Sequence, residues 1–228
     1  MNNRYKIVGW DVDTQRDFME GAKDNPVFYE GKLKIDDAMD IASNLEKITN
    51  CLWERNVPIL GSVDWHSKDA YEFPKEGTEP DFANTFPEHC VQDTYGAEKI
   101  DATRPVDPLW IDYAKGLNVD GLISQIVRHN GEVFFRKDRF DVFDENGNPY
   151  AKQIVKELGV EKAILYGVAL EVCDDFAVMG LRNLGVEVYA VSDAMRALDE
   201  SVRPQILEKW EKAGAKIVKL DDVLRGNI

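Results

Sequence analysis

The amino-acid sequence predicts an α/β protein, a three-layer α/β/α sandwich built around a doubly wound, mainly parallel sheet. Two observations lead to this fold class. Short runs of β-branched and apolar residues alternate along the chain with amphipathic helical patterns, and such alternation is typical of a parallel sheet. A parallel sheet is covered on both faces, and right-handed crossovers between its strands place the helices in two outer layers.

Six strands are predicted, each from a run of β-branched or apolar residues. They cover residues 5–12, 58–63, 132–135, 162–168, 187–191 and 216–220. Helices are predicted where apolar residues recur at helical spacing, and several of these patterns close with Gly or Asn. They cover residues 36–55, 119–128, 150–158, 172–184 and 200–213.

The segment 67–117 interrupts this alternation, because it is rich in Pro, Gly, Asp and Glu and has little periodicity. Loops of this length are commonly functional. We therefore expect an ordered excursion of the chain over the active site. The sequence has no internal repeat and no convincing linker, so a single domain is predicted over residues 1–228.

Composition and charge narrow the class of protein. A chain of 228 residues with 44% hydrophobic positions can bury a substantial core. A formal charge of −14 argues against binding to nucleic-acid phosphates. The chain has neither a long apolar run nor a signal-like start, so we expect a cytoplasmic protein without a membrane partner. Three widely spaced cysteines favour free thiols over disulfides, and a homo-oligomer is compatible with the sequence.

Three reactive side chains follow predicted strands. Asp13 follows the first strand, Lys137 the third and Cys173 the fourth, where a helix is predicted to begin. Because ligands of open α/β sheets bind beyond the carboxyl ends of the strands, we expect these side chains to lie together. A helix N-terminus and a nearby cation lower a thiol pKa, and a carboxylate can accept the thiol proton. Each residue also has an ordinary interpretation, as a turn residue, a solvated lysine or a small buried hydrophobe.

A second group of polar residues is typical of a metal site. Asp64 and His66 follow the second predicted strand, and His89 lies in the long excursion. One Asp and two His, with water completing the shell, suit Zn²⁺, Fe²⁺ or Mn²⁺. The Asp-x-His spacing alone is a weak signal, because a capping Asp beside a surface His explains it more often than a metal site does. His129, at the end of a predicted helix, is interpreted as structural.

These segments, in this order, resemble the nicotinamidase branch of the isochorismatase-like cysteine hydrolases over nearly the whole chain. Residues 12–18 (VDTQRDF) resemble the family's V-D-x-Q-x-D-F opening, and residues 64–66 (DWH) its metal-binding D-W-H. Residues 86–91 (FPEHCV) are similar to its W-P-x-H-C-V segment, and residues 167–173 (GVALEVC) to its G-x-A-x-D-x-C nucleophile segment. Lys137 matches the family lysine.

The resemblance implies a catalytic role for each residue of the triad. Asp13 would be the base, Lys137 would stabilise the charged pair, and Cys173 would attack a carboxamide to form a thioester. Backbone N–H groups of Ala169 and Cys173 would form the oxyanion hole, beside a cis peptide between Val168 and Ala169. The implied reaction converts nicotinamide to nicotinate and ammonia, a step of NAD salvage.

The resemblance also implies a metal and a ring-binding pocket. Asp64, His66 and His89 would hold one divalent ion of Zn, Fe or Mn, which would position the pyridine ring. Glu72 occupies a position where some relatives have a further ligand. The ring would lie against aromatic side chains that are otherwise ordinary core residues: Phe18, Phe86 and Phe140.

The sequence departs from the family pattern close to the nucleophile. Leu170 and Glu171 stand where Thr and Asp are usual, and Asp174 stands where Val is common. We expect these changes to alter the rate of the reaction and not its chemistry. Two alternative functions remain. The first is an enzyme that hydrolyses another small amide or ureido substrate and has a vestigial metal site. The second is a family member without catalytic activity that serves as a binding or assembly protein.

Overall fold

A seven-stranded sheet forms the centre of the structure, a computed structural model that describes residues 3–24, 29–82, 85–129 and 131–228. Its strand order is β3-β4-β2-β1-β5-β6-β7, and neighbouring strands are parallel throughout. The strands are β1 (Ile7–Val12), β2 (Ile59–Asp64), β3 (Leu109–Ile111), β4 (Val133–Lys137), β5 (Lys162–Val168), β6 (Glu187–Arg196) and β7 (Lys216–Val218).

Helices cover both faces of this sheet. They are α1 (Arg16–Met19), α2 (Ala42–Glu54), α3 (Val119–Arg128), α4 (Ala151–Leu158), α5 (Asp175–Asn183), α6 (Arg203–Lys212) and α7 (Leu220–Arg225). One core contains side chains of α3 to α6, and the other contains side chains of α1, α2 and α7. Within the described ranges, we find no helix that is both long and apolar enough to cross a membrane.

The predicted α/β class and parallel sheet are confirmed, and β5 and α3 have the predicted bounds. The predicted count of six strands is wrong, because β3 lies within the segment 67–117, for which the sequence predicts an excursion without strands. This strand has three residues, two of them half-buried, and is too short to give a periodic signal. Residues 83–84 of that segment lie outside the described residues.

Several predicted helices are shorter than expected because their first turns are not α-helical. A 3₁₀ turn, Ala38–Ile41, precedes α2, and another, Glu200–Val202, precedes α6. The predicted helix 172–184 begins instead with a π-helical turn, Leu170–Asp174, which carries Cys173. π-helical turns are rare and are found disproportionately at functional sites.

Replacing Leu45 with alanine is expected to lower the free energy of unfolding by about 3 kcal/mol. The side chain lies in α2, is fully buried, and belongs to the core beneath this helix, so its removal leaves a cavity. Urea unfolding would measure the loss. The neighbouring exposed residue provides a control, since Glu46→Ala should change the same quantity by less than about 0.5 kcal/mol.

Candidate active site

The reactive side chains meet where the strand order reverses. The chain leaves β1 for β2 and β4 on one side of the sheet, and continues through β5 and β6 on the other. Ligands of such sheets bind beyond the carboxyl ends of the strands at this reversal. Asp13 directly follows β1, Lys137 ends β4, and Cys173 lies five residues after the end of β5.

Lys137 connects the residues of the predicted triad. Its Nζ lies 3.0 Å from Oδ2 of Asp13 and 3.6 Å from Sγ of Cys173. The same ammonium donates a hydrogen bond to Oδ1 of Asp64. All four side chains are buried. The structure therefore places a carboxylate, an ammonium and a thiol in contact, away from bulk water.

Burial and charge set the protonation of this group. Burial opposes the charged form of Lys137, but Asp13 and Asp64 outweigh it and hold the lysine pKa well above its usual value. Burial would likewise raise the pKa of Asp64, but the Lys137 ammonium and the neighbouring imidazoles hold that pKa well below its usual value. Burial raises the pKa of Asp13, and Lys137 partly offsets that rise. Asp13 is thus a better proton acceptor than an exposed carboxylate.

The expectation of a lowered thiol pKa is wrong. Burial raises the pKa of Cys173 well above its usual value, and the carboxylates of Asp13 and Asp64 add to the rise, although Lys137 opposes it. The thiol therefore keeps its proton at rest. Nucleophilic attack therefore requires a base close to the thiol, and the Asp13 carboxylate is positioned to accept its proton.

Two further residues fix the positions of Asp13 and Asp64: Ser62, which the motifs did not single out, and Gln15 of the V-D-x-Q-x-D-F segment. The hydroxyl of Ser62 donates to Oδ1 of Asp13 at 2.8 Å. The side-chain amide of Gln15 makes two hydrogen bonds to the backbone of Asp64, at the end of β2. Its nitrogen donates to the Asp64 oxygen and its oxygen accepts from the Asp64 N–H, both at 2.7 Å. Ser62 lies two residues before Asp64 in a strand, so alternation could have placed it on the same face.

The predicted metal ligands form a compact buried cluster. One ligand atom from each of Asp64, His66 and His89 lies within 4.8 Å of the others. Nε2 of each imidazole lies 3.7 Å from the same carboxylate oxygen, Oδ2 of Asp64. Two ring nitrogens and a carboxylate oxygen that converge in this way are a donor set suited to Zn²⁺ or a related divalent ion.

The other ring nitrogen of each histidine is held by a hydrogen-bond partner. Nδ1 of His66 lies 2.9 Å from Oδ1 of Asp138, and Nδ1 of His89 lies 2.7 Å from the backbone oxygen of Pro87. Such partners orient metal-binding imidazoles. Nε2 of His66 is buried and has no hydrogen-bond partner among the described residues. The cluster thus fits a metal ion, which would give this nitrogen a partner.

The acidic surroundings of His66 also suit a cation. Burial works against the imidazolium, but Asp138 and Asp64 outweigh it and raise the pKa of His66 to about 9. Glu72 contributes to this field, because its Oε1 lies 3.4 Å from Nε2 of His66. The Glu72 side chain is buried, and its Oε2 has no hydrogen-bond partner in the described part of the chain. Its role as a further ligand stays a prediction.

The three predicted ring-binding aromatics line one cavity. Phe18, Phe86 and Phe140 surround it together with Asp64, His89 and Cys173. The Phe86 and Phe140 rings meet edge-on with centroids 5.5 Å apart, and the Phe18 ring lies 5.3 Å from that of His89. The cavity volume is about 50 Å³, so a six-membered ring would enter only after its walls move. Further lining residues are Val168, Ala169 and Val172 of the nucleophile segment, together with Leu33, Ile35 and Leu198, which no motif indicated.

The segment before the nucleophile has the expected backbone. The peptide between Val168 and Ala169 is cis, as the resemblance implied. Two residues of this segment, Leu170 and Glu171, depart from the family pattern. Leu170 is fully buried in the core. Glu171 accepts hydrogen bonds from the backbone N–H groups of Leu198 and Asp199, at 3.0 and 2.7 Å. These hydrogen bonds fix the segment that follows β6 beside the cavity that Leu198 lines.

Known proteins resemble this chain in sequence and in fold. A family model described as the isochorismatase domain matches residues 112–222. A nicotinamidase of Escherichia coli (strain K12) is 26% identical over 230 residues, covering 92% of this chain and 93% of that protein.

Two solved structures share the fold. The pyrazinamidase of Pyrococcus horikoshii in complex with zinc has a TM-score of 0.68 at 24% identity, over 94% of this chain and 99% of that one. An L. infantum protein in complex with nicotinate has a TM-score of 0.68 at 20% identity, over 95% and 94% of the respective chains. At these identities the similarity shows the common architecture.

Proposed function

We propose that this chain is a member of the isochorismatase-like superfamily, that it hydrolyses nicotinamide to nicotinate and ammonia, and that it thereby acts in NAD salvage. The observation that carries the proposal is the contact of two buried groups. Asp13, Lys137 and Cys173 provide a base, a cation and a nucleophile, and Asp64 joins them to the metal-binding cluster with His66 and His89. The sequence similarity to a nicotinamidase supports the same substrate.

The reaction begins with a proton transfer within the triad. Asp13 takes the thiol proton of Cys173, while the Lys137 ammonium stabilises the charges that result. The thiolate sulfur forms a bond to the carboxamide carbon. Backbone N–H groups of Ala169 and Cys173 would stabilise the negative oxygen of the tetrahedral intermediate.

Collapse of the tetrahedral intermediate releases ammonia. Asp13 returns its proton to the departing nitrogen, the carbon–nitrogen bond breaks, and a thioester on Cys173 remains. The same carboxylate then takes a proton from a water molecule, which attacks the thioester carbon. The carbon–sulfur bond then breaks, the acid departs, and Asp13 returns its proton to the sulfur of Cys173.

A divalent ion would be held by Asp64, His66 and His89, with Glu72 as a further candidate. When bound, it supplies a Lewis-acid site for the pyridine nitrogen and so orients the ring. The aromatic residues Phe18, Phe86 and Phe140 would enclose the ring. The carboxamide would then face Cys173, which lines the same cavity.

The purified protein is expected to release one ammonia and one nicotinate for each nicotinamide consumed. Coupled ammonia detection together with chromatography of the acid would measure both products. Benzamide provides a matched control, because it has the same carboxamide on a ring without the nitrogen, and we expect it to be hydrolysed at least tenfold more slowly. No ammonia from nicotinamide would reject the proposal, and equal rates on both amides would reject the role of the ring nitrogen.

His89→Ala is expected to lower the metal content of the purified protein, weakening metal affinity by more than the about 10- to 100-fold that loss of a ligand's hydrogen-bond partner typically costs. Loss of one of three converging donors leaves Asp64 and His66 to hold the ion. Elemental analysis after dialysis against a chelator would measure retained Zn, Fe and Mn. His129→Ala is the matched control, since His129 contacts the backbone oxygen of Asp107 outside the cluster. Equal metal content in both variants would contradict the assignment.

A further inference from the structure

A second buried ion pair lies beside the catalytic cluster, and the proposed reaction does not use it. Nζ of Lys99 lies 3.0 Å from Oδ1 of Asp11, and the two side chains are only 1% and 2% exposed. The same ammonium donates to Oγ1 of Thr14 at 2.8 Å. Thr14 also donates to Oδ1 of Asp11 at 2.9 Å. Lys99 therefore holds two residues, Asp11 and Thr14, that lie on either side of the general base Asp13 in the chain.

The residue enclosed by these contacts, Asp13, has a left-handed backbone with φ of 46°. Side chains two apart in a strand normally face the same side. Asp11 is on the face of Phe134, whose ring centroid lies 4.7 Å from Nζ of Lys99. Asp13 instead accepts a hydrogen bond from Ser62, which is in register with Val12 on the opposite face. The left-handed backbone therefore places the Asp13 carboxylate on the face of the sheet opposite to Asp11.

A residue other than glycine keeps a left-handed backbone only when its surroundings fix it. Here the side chains of Asp11 and Thr14 are fixed by one ammonium. The backbone after Thr14 also continues into an antiparallel bridge between Gln15 and Lys99 itself. The backbone of Asp13 is held directly by two hydrogen bonds, from its N–H to the Ser62 oxygen at 3.1 Å and from the Gln15 N–H to its own oxygen at 2.7 Å. Lys99 adds contacts with both flanking side chains from the far face of the sheet.

We propose that the buried Lys99–Asp11 pair positions the general base Asp13, an inference that rests on the proposed function. The pair acts through the backbone of Asp13 and touches neither substrate nor nucleophile in this role. Without it, the segment relaxes toward an ordinary extended backbone. The Asp13 carboxylate then leaves its contacts with Ser62 and Lys137, and proton transfer from Cys173 slows.

The double variant Asp11→Leu/Lys99→Met tests this proposal. Replacing a buried ion pair by apolar side chains of similar volume is often tolerated, whereas removing one partner leaves an unpaired charge. We expect kcat for nicotinamide to fall at least tenfold while KM stays within twofold. Alkylation of Cys173 by iodoacetamide, followed on its own peptide by mass spectrometry, should also slow at least tenfold. Ile154→Val, a buried change in α4, should leave both rates near those of the parent.

Parent-like kcat and alkylation in the folded double variant would overturn the proposal. A rise in KM with unchanged alkylation would also overturn it, because that result indicates general loosening of the site. If the double variant does not fold, Asp11→Asn keeps the size of the side chain and should slow both rates at least threefold. A parent inactive on nicotinamide would reject the proposed function alone, because alkylation needs no substrate and still tests the positioning role.

Discussion

Cys173→Ala is expected to reduce nicotinamide hydrolysis by about five orders of magnitude, because loss of a covalent nucleophile removes the reaction path itself. Cys173 lines the cavity, and its Sγ lies 3.6 Å from Nζ of Lys137. Single-turnover measurements with excess enzyme would detect residual activity. Acid quenching of the parent during turnover should trap a nicotinoyl group on the Cys173 peptide, and the variant should show none.

The matched control for this experiment is Cys51→Ala. Cys51 is also a free, buried thiol, but it lies in α2 and belongs to neither the triad nor the cavity lining. We expect its activity to remain within twofold of the parent. If Cys173→Ala retained the parent rate, the covalent mechanism would be wrong whatever the substrate. If both variants lost activity equally, a structural effect of thiol removal would explain the result.

The long and strongly patterned elements could be predicted from the sequence, because their signals are local. The helix α3 begins after Asn118, whose side chain accepts hydrogen bonds from the N–H groups of Asp120 and Gly121. The strand β5 is buried over six of its seven residues, and it is an unbroken apolar run apart from its first position. In contrast, β3 has only three residues, and its place at the sheet edge depends on pairing with β4.

The proximity of the candidate residues could be predicted, but their environment could not. Asp13 and Cys173 follow strands and Lys137 ends one, and the carboxyl ends of parallel strands lie at the same edge of a sheet. The thiol pKa depends on burial, which was not visible from the position of Cys173 at a helix start. Contacts of Gln15 with the Asp64 backbone join residues 49 positions apart, and only the folded chain reveals them.

Lys137→Met is expected to lower kcat for nicotinamide by about 10³-fold. The ammonium contacts Asp13, Asp64 and Cys173 at once. Its loss leaves two buried carboxylates close together without their cation, so one of them is driven to take up a proton. A protonated Asp13 cannot accept the proton of Cys173. Steady-state ammonia release would measure the effect, with Lys209→Met, on the exposed side of α6, as the control.

The pH profile would distinguish this loss of charge from a loss of fold. In the parent, the Lys137 ammonium opposes the rise in the Asp13 pKa that burial causes. Removing that cation should raise the Asp13 pKa further, so the variant's residual activity should require a higher pH than the parent's. A variant that is folded by circular dichroism but has the parent's rate and pH profile would show that Asp13 does not depend on Lys137. The charge balance proposed for the triad would then be incorrect.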